Sequence, residues 1–188
     1  MGIPTALVIA SKHDDLLQNI QKTFTNDSLR VYTSHDLKGT ELGGALKNII
    51  AFCAGVIMGL EFGDNTFAAL ITRGLSEMAR LSVAMGGKPS TMYGLTGLGD
   101  LIVTCLSSHS RNRRAGVLFG QGKTVHELKK EIGMTIESMD NIETTYELAK
   151  KYNIEMPIVN AIYDVLFNEK SPADAINELM RRDLKEED

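Results

Sequence analysis

Four short segments set ionisable side chains among glycines or helix starts in otherwise apolar surroundings. They are Glu41-Leu42-Gly43-Gly44-Ala45-Leu46-Lys47-Asn48, Gly94-Leu95-Thr96-Gly97-Leu98-Gly99-Asp100-Leu101, Ser110-Arg111-Asn112-Arg113-Arg114 and Gly133-Met134-Thr135-Ile136-Glu137. Lys47 lies between Leu46 and Ile49-Ile50 on a stretch whose composition marks it as central, an unusual place for a lysine. It is either a snorkelling side chain with its ammonium in water or a desolvated amine, its pKa lowered, that exchanges a proton near neutral pH. Asp100 follows three glycines in six residues. It either caps the helix that starts at Leu101 or offers a carboxylate to substrate hydroxyls where the glycines let a ligand approach the backbone. Ser110 to Arg114 reads as a helix opening, where free N–H groups and guanidinium forks suit a phosphate; the alternative is a solvated basic turn, to which Arg113 and Arg114 are assigned.

Other motifs fall away on their spacing. Gly120-Gln121-Gly122-Lys123-Thr124 ends like a nucleotide P-loop, but the position six before the lysine is Val117, Gly116 stands one place too early, and no strand precedes it. Gly97-Leu98-Gly99-Asp100-Leu101-Ile102 lacks the third glycine of a dinucleotide fingerprint. Cys53 and Cys105 sit in apolar runs without a Cys-x-x-Cys pair or a histidine cluster, so they read as buried, reduced thiols and no metal is called for.

The elements that must position these residues fit an ordinary globular chain. At 188 residues, 43% hydrophobic and 23% charged, it is about one domain and buries roughly 70% of its unfolded surface without a disulfide or metal staple. A formal charge of −4 argues against a general nucleic-acid surface. The apolar run Ile49 to Leu60 is short of the ~20 residues that span a bilayer, and the start lacks a secretory leader, so a soluble, cytoplasmic protein is expected.

Pro4 to Ala10 and Leu29 to Thr33 read as strands, the first of them buried, with a helix of Leu16, Leu17, Ile20 and Phe24 between them. Two strands and one helix cannot enclose a core, so this β-α-β unit, entered almost directly from Met1, reads as torn from a larger domain upstream. From about Asp36 the pattern is helical. A glycine-rich helix is expected over Glu41 to Met58, its glycines serving close helix packing. A second, capped by Asn65, runs to Gly86-Gly87, followed by helices after the capping box Thr124-x-x-Glu127, over Asn141 to Tyr152, over Pro157 to Phe167 and after Ser171-Pro172. Arg181 to Asp188 reads as a charged, fraying tail.

Taken in order, the segments resemble the bacterial-type NAD(P)H-dependent glycerol-3-phosphate dehydrogenases. The resemblance rests on Pro4-Thr5-Ala6, Ala10-Ser11-Lys12, Val31-Tyr32-Thr33, Glu41 to Asn48, Leu70-Ile71-Thr72-Arg73-Gly74-Leu75-Ser76-Glu77-Met78, Gly97 to Leu101, Ser110 to Arg113 and Glu155-Met156-Pro157. It implies a mainly α fold, a multi-helix C-terminal dehydrogenase domain like that of 6-phosphogluconate dehydrogenase. Residues 36–188 would form this substrate-binding domain and 1–35 the β-α-β remnant of a Rossmann domain. It also implies interconversion of dihydroxyacetone phosphate and sn-glycerol 3-phosphate with NADH or NADPH, supplying phospholipid precursors. Lys47 would be the catalytic proton donor or acceptor and a substrate contact. Asn48, Asp100, Ser110, Arg111 and Asn112 would bind substrate, and Arg111, Thr135 and Glu137 would touch the cofactor; Thr135 stands where the family more often shows an aliphatic residue. The Gly-rich fingerprint and a further substrate lysine belong to the half missing from this sequence, where NADH-versus-NADPH selectivity would also reside. The 188 residues alone are therefore expected to be inactive.

A related dehydrogenase acting on another hydroxy acid and a non-catalytic helical binding or oligomerisation module stand as alternatives, and a homodimer is left open. The module has no need of Lys47, Asp100 and Arg111 together, which are expected to share one cleft.

Overall fold

A computed structural model describes residues 2–184 and residue 186; Lys185, Glu187 and Asp188 of the expected tail lie outside it. Strand β1 (Thr5–Ala10) pairs in parallel with β2 (Leu29–Ser34), from Thr5 opposite Leu29 to Ala10 opposite Ser34. The crossover is α1 (Asp14–Phe24), which buries Leu17 and donates from the Gln21 amide to the Val31 carbonyl at 2.9 Å. The expectation of a buried first strand is corrected. Thr5, Ala6 and Leu7 are exposed and Val8 to Ala10 half-buried, because a two-stranded sheet with one helix leaves a face and an edge open.

After β2 every regular element among the described residues is a helix. Asp36 caps α2 (Leu37–Gly59), which starts four residues before the glycine-rich segment alone suggested. Asp36 is buried and gathers three donors: the Gly39 N–H at 2.9 Å, the Lys88 N–H at 2.8 Å and the Thr91 hydroxyl at 2.6 Å. Burial alone would raise its pKa, but these bonds to the charged form outweigh it and hold the carboxyl below its usual value. One side chain thus starts α2 and pins the short α4 (Pro89–Met92) beside it.

Helix α3 (Asp64–Ala84) begins at Gly63, so the expected cap Asn65 lies inside its first turn instead; Gly63 is extended at φ −76°, ψ 177°, and no side chain caps the helix. A π-helical turn, Leu95–Gly99, leads into α5 (Asp100–Leu106), and α6 (Arg111–Gly120) follows Ser110. The capping box at Thr124 opens α7 (Val125–Ile132), which stops at Gly133 with φ +65°. Helix α8 (Glu137–Tyr152) starts four residues earlier than its apolar period suggested, and α9 (Pro157–Phe167) and α10 (Pro172–Met180) complete the body.

Helix α2 is the axle. Ile49, Ile50, Ala51, Phe52, Cys53 and Ala54 are all buried on it, and α3, α5, α6 and α8 pack around it. By length and composition α2 matches a bilayer-crossing helix, more than its twelve-residue apolar run suggested, but 61% of that apolar stretch is buried within the protein. Both cysteines are free and buried, and desolvation raises both thiol pKa values.

The glycines explain the tightest contact. A Cβ on Gly116 would lie 2.0 Å from the Phe52 carbonyl oxygen, and one on Gly55 would lie 2.1 Å from that of Arg113. One turn on, Gly120 faces the Val56 carbonyl at 2.5 Å and Gly59 the Val117 carbonyl at 2.3 Å. Two Gly-x-x-x-Gly faces bring the α2 and α6 backbones together, running in the same direction. The expectation of close packing therefore holds at Gly55, whereas nothing lies within 4 Å of a Cβ on Gly44.

Glu77 of α3 is 2% exposed and accepts from the Ile158 N–H at 2.7 Å and the Val159 N–H at 3.3 Å, capping α9 from another element. Desolvation pushes its pKa up to about 7, against those two bonds and the nearby charges of Arg80 and Arg182.

Two stability measurements test this frame. Gly116→Ala should destabilise by about 1–3 kcal/mol through overpacking, whereas Gly44→Ala, with open space, should gain up to about 1 kcal/mol of helix propensity. Equal effects in urea unfolding would refute the packing account. Because the folded pKa of Glu77 is raised, its contribution is fully present below pH 4.5 and is lost as pH rises through about 7. Glu77→Gln should thus lose its disadvantage to wild type as pH rises from 5 to 8; a difference constant across that range would show that Glu77 does not titrate in the fold.

Candidate active site

A cleft of about 520 Å³ opens beside the N-terminal half of α2, lined by Gly44, Lys47, Asn48, Val103, Thr104, Ser107, His109, Ser110, Arg111, Asn112 and Glu137. Lys47 does not simply extend into water: its side chain is mostly covered, and the ammonium donates to Asp100 Oδ2. Asp100 is not a cap. It is the first residue of α5, preceded by Gly99 in helical conformation, and the π-helical turn before it sets the angle at which its carboxylate meets Lys47. That turn needs glycine at Gly97, where a Cβ would sit 2.0 Å from the Met92 carbonyl oxygen. Thr104, one turn on, donates to the Asp100 carbonyl at 2.6 Å.

Across the cleft α6 begins. The Ser110 hydroxyl accepts from the Arg113 N–H at 3.3 Å as N-cap and keeps its own proton to donate. The N–H groups of Arg111 and Asn112 lie in the first turn, where no intrahelical acceptor exists. Arg111 pairs with Glu137 Oε1, both about one-third exposed. Asn112 is buried: its Nδ2 donates to Glu137 Oε2 at 3.2 Å, and its Oδ1 accepts from the Ser138 N–H at 2.9 Å. Glu137 is the first residue of α8, so the N-termini of two helices face one opening. Arg114 is exposed, in line with the solvated reading, but Arg113 departs from it: the side chain is half-buried, its Nε is enclosed, and its terminal nitrogens turn to Met58 Sδ and the Ser107 carbonyl.

Lys47, Asn48, Asp100, Ser110, Arg111, Asn112 and Glu137 are thus brought together, 90 residues apart at the extremes. Thr135 is not among them: it lines a separate cavity with Lys129, Gly133, Met134, Ile136, Met139 and Asp140. Residues that sequence reasoning passed over include His109 on the rim and Asn141, whose amide donates to the Ala45 carbonyl at 3.1 Å and fixes α8 to α2 beside Lys47. Neither sits in a motif. No group of three metal-ligating side chains occurs among the described residues.

Residues 36–177 match the family described as NAD-dependent glycerol-3-phosphate dehydrogenase, C-terminus. The chain belongs to the glycerol-3-phosphate dehydrogenase family. It is 56% identical over 184 residues to glycerol-3-phosphate dehydrogenase (NAD(P)+) of Fusobacterium nucleatum, covering 98% of this chain and 55% of that protein. It is 52% identical over 185 residues to the protein of that name from a Thermoanaerobacter species, covering 98% and 56%. The crystal structure of glycerol-3-phosphate dehydrogenase from Coxiella burnetii superposes with a TM-score of 0.91 at 41% identity, over 96% of this chain and 55% of that one. The Plasmodium falciparum enzyme, at 22% identity, shares the fold with a TM-score of 0.88. The chain thus spans about 55% of the length of these curated relatives. As a glycerol-3-phosphate dehydrogenase family chain it carries the helical part, and the family match begins at Asp36, the cap of α2.

Proposed function

We propose that this chain is the substrate-binding and catalytic half of an NAD(P)H-dependent glycerol-3-phosphate dehydrogenase, interconverting dihydroxyacetone phosphate and sn-glycerol 3-phosphate. Residues 1–35 are read as the closing β-α-β piece of its dinucleotide-binding domain, residues 36–188 as the catalytic domain. The observation that carries the reading is the Lys47–Asp100 pair facing Arg111 and the start of α6 across one cleft, in a chain of this family.

The chemistry follows from the charges. When the ketone is reduced, negative charge grows on its oxygen, and a positioned ammonium stabilises that charge and delivers a proton. Lys47 performs this step, while Asp100 takes one of its N–H bonds and so fixes where the others point. Asn48, on the next position of α2, and the second oxygen of Asp100 serve the substrate hydroxyls. Ser110, Arg111 and the free N–H groups of Arg111 and Asn112 form the phosphate seat; the Asn112 side chain, occupied by Glu137 and Ser138, orients rather than touches. Nicotinamide, when bound, supplies the hydride. Arg111 and Glu137 at the cleft rim, with Thr135 in the neighbouring cavity, offer a guanidinium, a carboxylate and a hydroxyl to its phosphates and ribose hydroxyls.

Steady-state kinetics on the intact enzyme separate the roles. Lys47→Ala should cost about 10²- to 10⁴-fold in kcat, as for lost general acid–base groups. Lys47→Arg keeps the charge but does not readily release a proton, so it should stay impaired. Arg111→Ala should mainly raise KM, and Arg111→Lys should recover only part of the loss because the two-pronged fork is gone. Near-normal kcat in Lys47→Arg would replace proton transfer with a purely electrostatic role for Lys47.

A further inference from the structure

Each cation seated in the cleft is already neutralised from within: Lys47 by Asp100 and Arg111 by Glu137. The second pair is built differently from the first. Glu137 is held on three sides, by the Arg111 guanidinium on Oε1, by the Asn112 amide on Oε2, and by its place in the first turn of α8, where helix N–H groups favour a negative charge. Asn112 is itself locked, because its carbonyl oxygen accepts from the Ser138 N–H and its residue is 4% exposed. It therefore cannot rotate its amide to release Glu137 without losing a buried bond. Glu137 consequently stands where the two helix starts and the arginine would otherwise receive an external anion.

We infer that Glu137 is a specificity-determining residue, an internal anion that a ligand must displace from Arg111, so that a dianionic phosphate is favoured over a monoanionic carboxylate. The inference rests on the phosphate seat proposed above. The physical reason is competition for one fork. A single negative charge offers Arg111 no more than Glu137 already gives it, and Glu137 is tethered, so it competes at a high local concentration. A phosphate brings up to two charges and three oxygens, enough to take both the fork and the free N–H groups at the start of α6. The pair is about one-third exposed on each side, so breaking it is a modest cost. Asn112 serves as the positioning residue that holds the competitor in place. This assigns to the fold the discrimination between triose phosphates and the hydroxy acids of the alternative reading.

Titration calorimetry on the intact protein without cofactor tests it, with inorganic phosphate and glycerate as the two probes. In Glu137→Gln, phosphate should bind about two- to fivefold tighter, the worth of one half-exposed ion pair. Glycerate, very weak with wild type, should gain by a larger factor than phosphate does, so that selectivity for phosphate shrinks; an equal gain for the two probes overturns the specificity role. Adding Arg111→Gln should abolish both gains. Unchanged or weaker phosphate binding in Glu137→Gln overturns the inference, as does a gain that survives Arg111→Gln. The binding experiment needs no turnover, and turnover is measured separately on the unsubstituted enzyme, so the two proposals fail separately. An enzyme that reduces dihydroxyacetone phosphate normally while Glu137→Gln binds phosphate like wild type loses only the competitor. A protein that shows the displacement yet turns over no triose phosphate loses only the function.

Discussion

The contact on which the rest depends is the backbone approach of α2 and α6 through Gly55, Gly59, Gly116 and Gly120. The two helices run the same way along this seam, so the residues a few positions upstream on each lie at the same end. Lys47 precedes Gly55 by eight residues, about 12 Å of helix, and Arg111 precedes Gly116 by five, about 7 Å. A proton-handling lysine and an anion-binding helix start are thereby set at one opening. Side chains larger than hydrogen at the seam would push the helices apart and with them the two halves of the cleft.

Ionisable groups divide into those that hold this frame and those left to work. Asp36 and Glu77 are buried and take their hydrogen bonds from backbone N–H groups or a hydroxyl, fixing the starts of α2, α4 and α9. Lys47 is mostly covered, Asp100, Arg111 and Glu137 are more open, and the four form two ion pairs, Lys47 with Asp100 and Arg111 with Glu137. Half-exposed pairs are worth little, so they can exchange partners when a ligand arrives, whereas removing a buried carboxylate strands the donors it serves. The opposite fates of Asp36 and Glu77 on titration show the same balance. At Asp36 three hydrogen bonds and the Lys88 charge outweigh desolvation, whereas at the more deeply buried Glu77 desolvation outweighs two hydrogen bonds and the charges of Arg80 and Arg182.

Much of this was legible in the residue order. The change from a β-α-β pattern to helices near Asp36, the capping box at Thr124, Ser171 before Pro172 and the helix start at Ser110 are local signals, written within one turn of chain, and the fold follows them. Where the fold departs from them, a distant group intervenes. Residues 37–40 are helical because Asp36 is held by Lys88 and Thr91 as well as by Gly39, and Glu137 begins α8 where Asn112 secures the Ser138 N–H. The apolar period, blind to such ties, started both helices too late.

The sequence by itself determined the chemistry on offer: one lysine in an apolar glycine-rich helix, one carboxylate after a glycine cluster, one arginine at a helix start, and a family resemblance covering the whole chain. Residue types and their local spacing carry that information because caps, turns and periodicity act within a few residues. Only the tertiary structure decided which charge faces which. That Asp100 meets Lys47 instead of capping its own helix depends on a π-helical turn, that Thr135 lies in a different cavity from Glu137 depends on the bend into α8, and that Asn112 serves Glu137 depends on α6 and α8 meeting end to end. These pairings join residues 25 to 53 positions apart, and a contact at that separation leaves no mark in the local pattern.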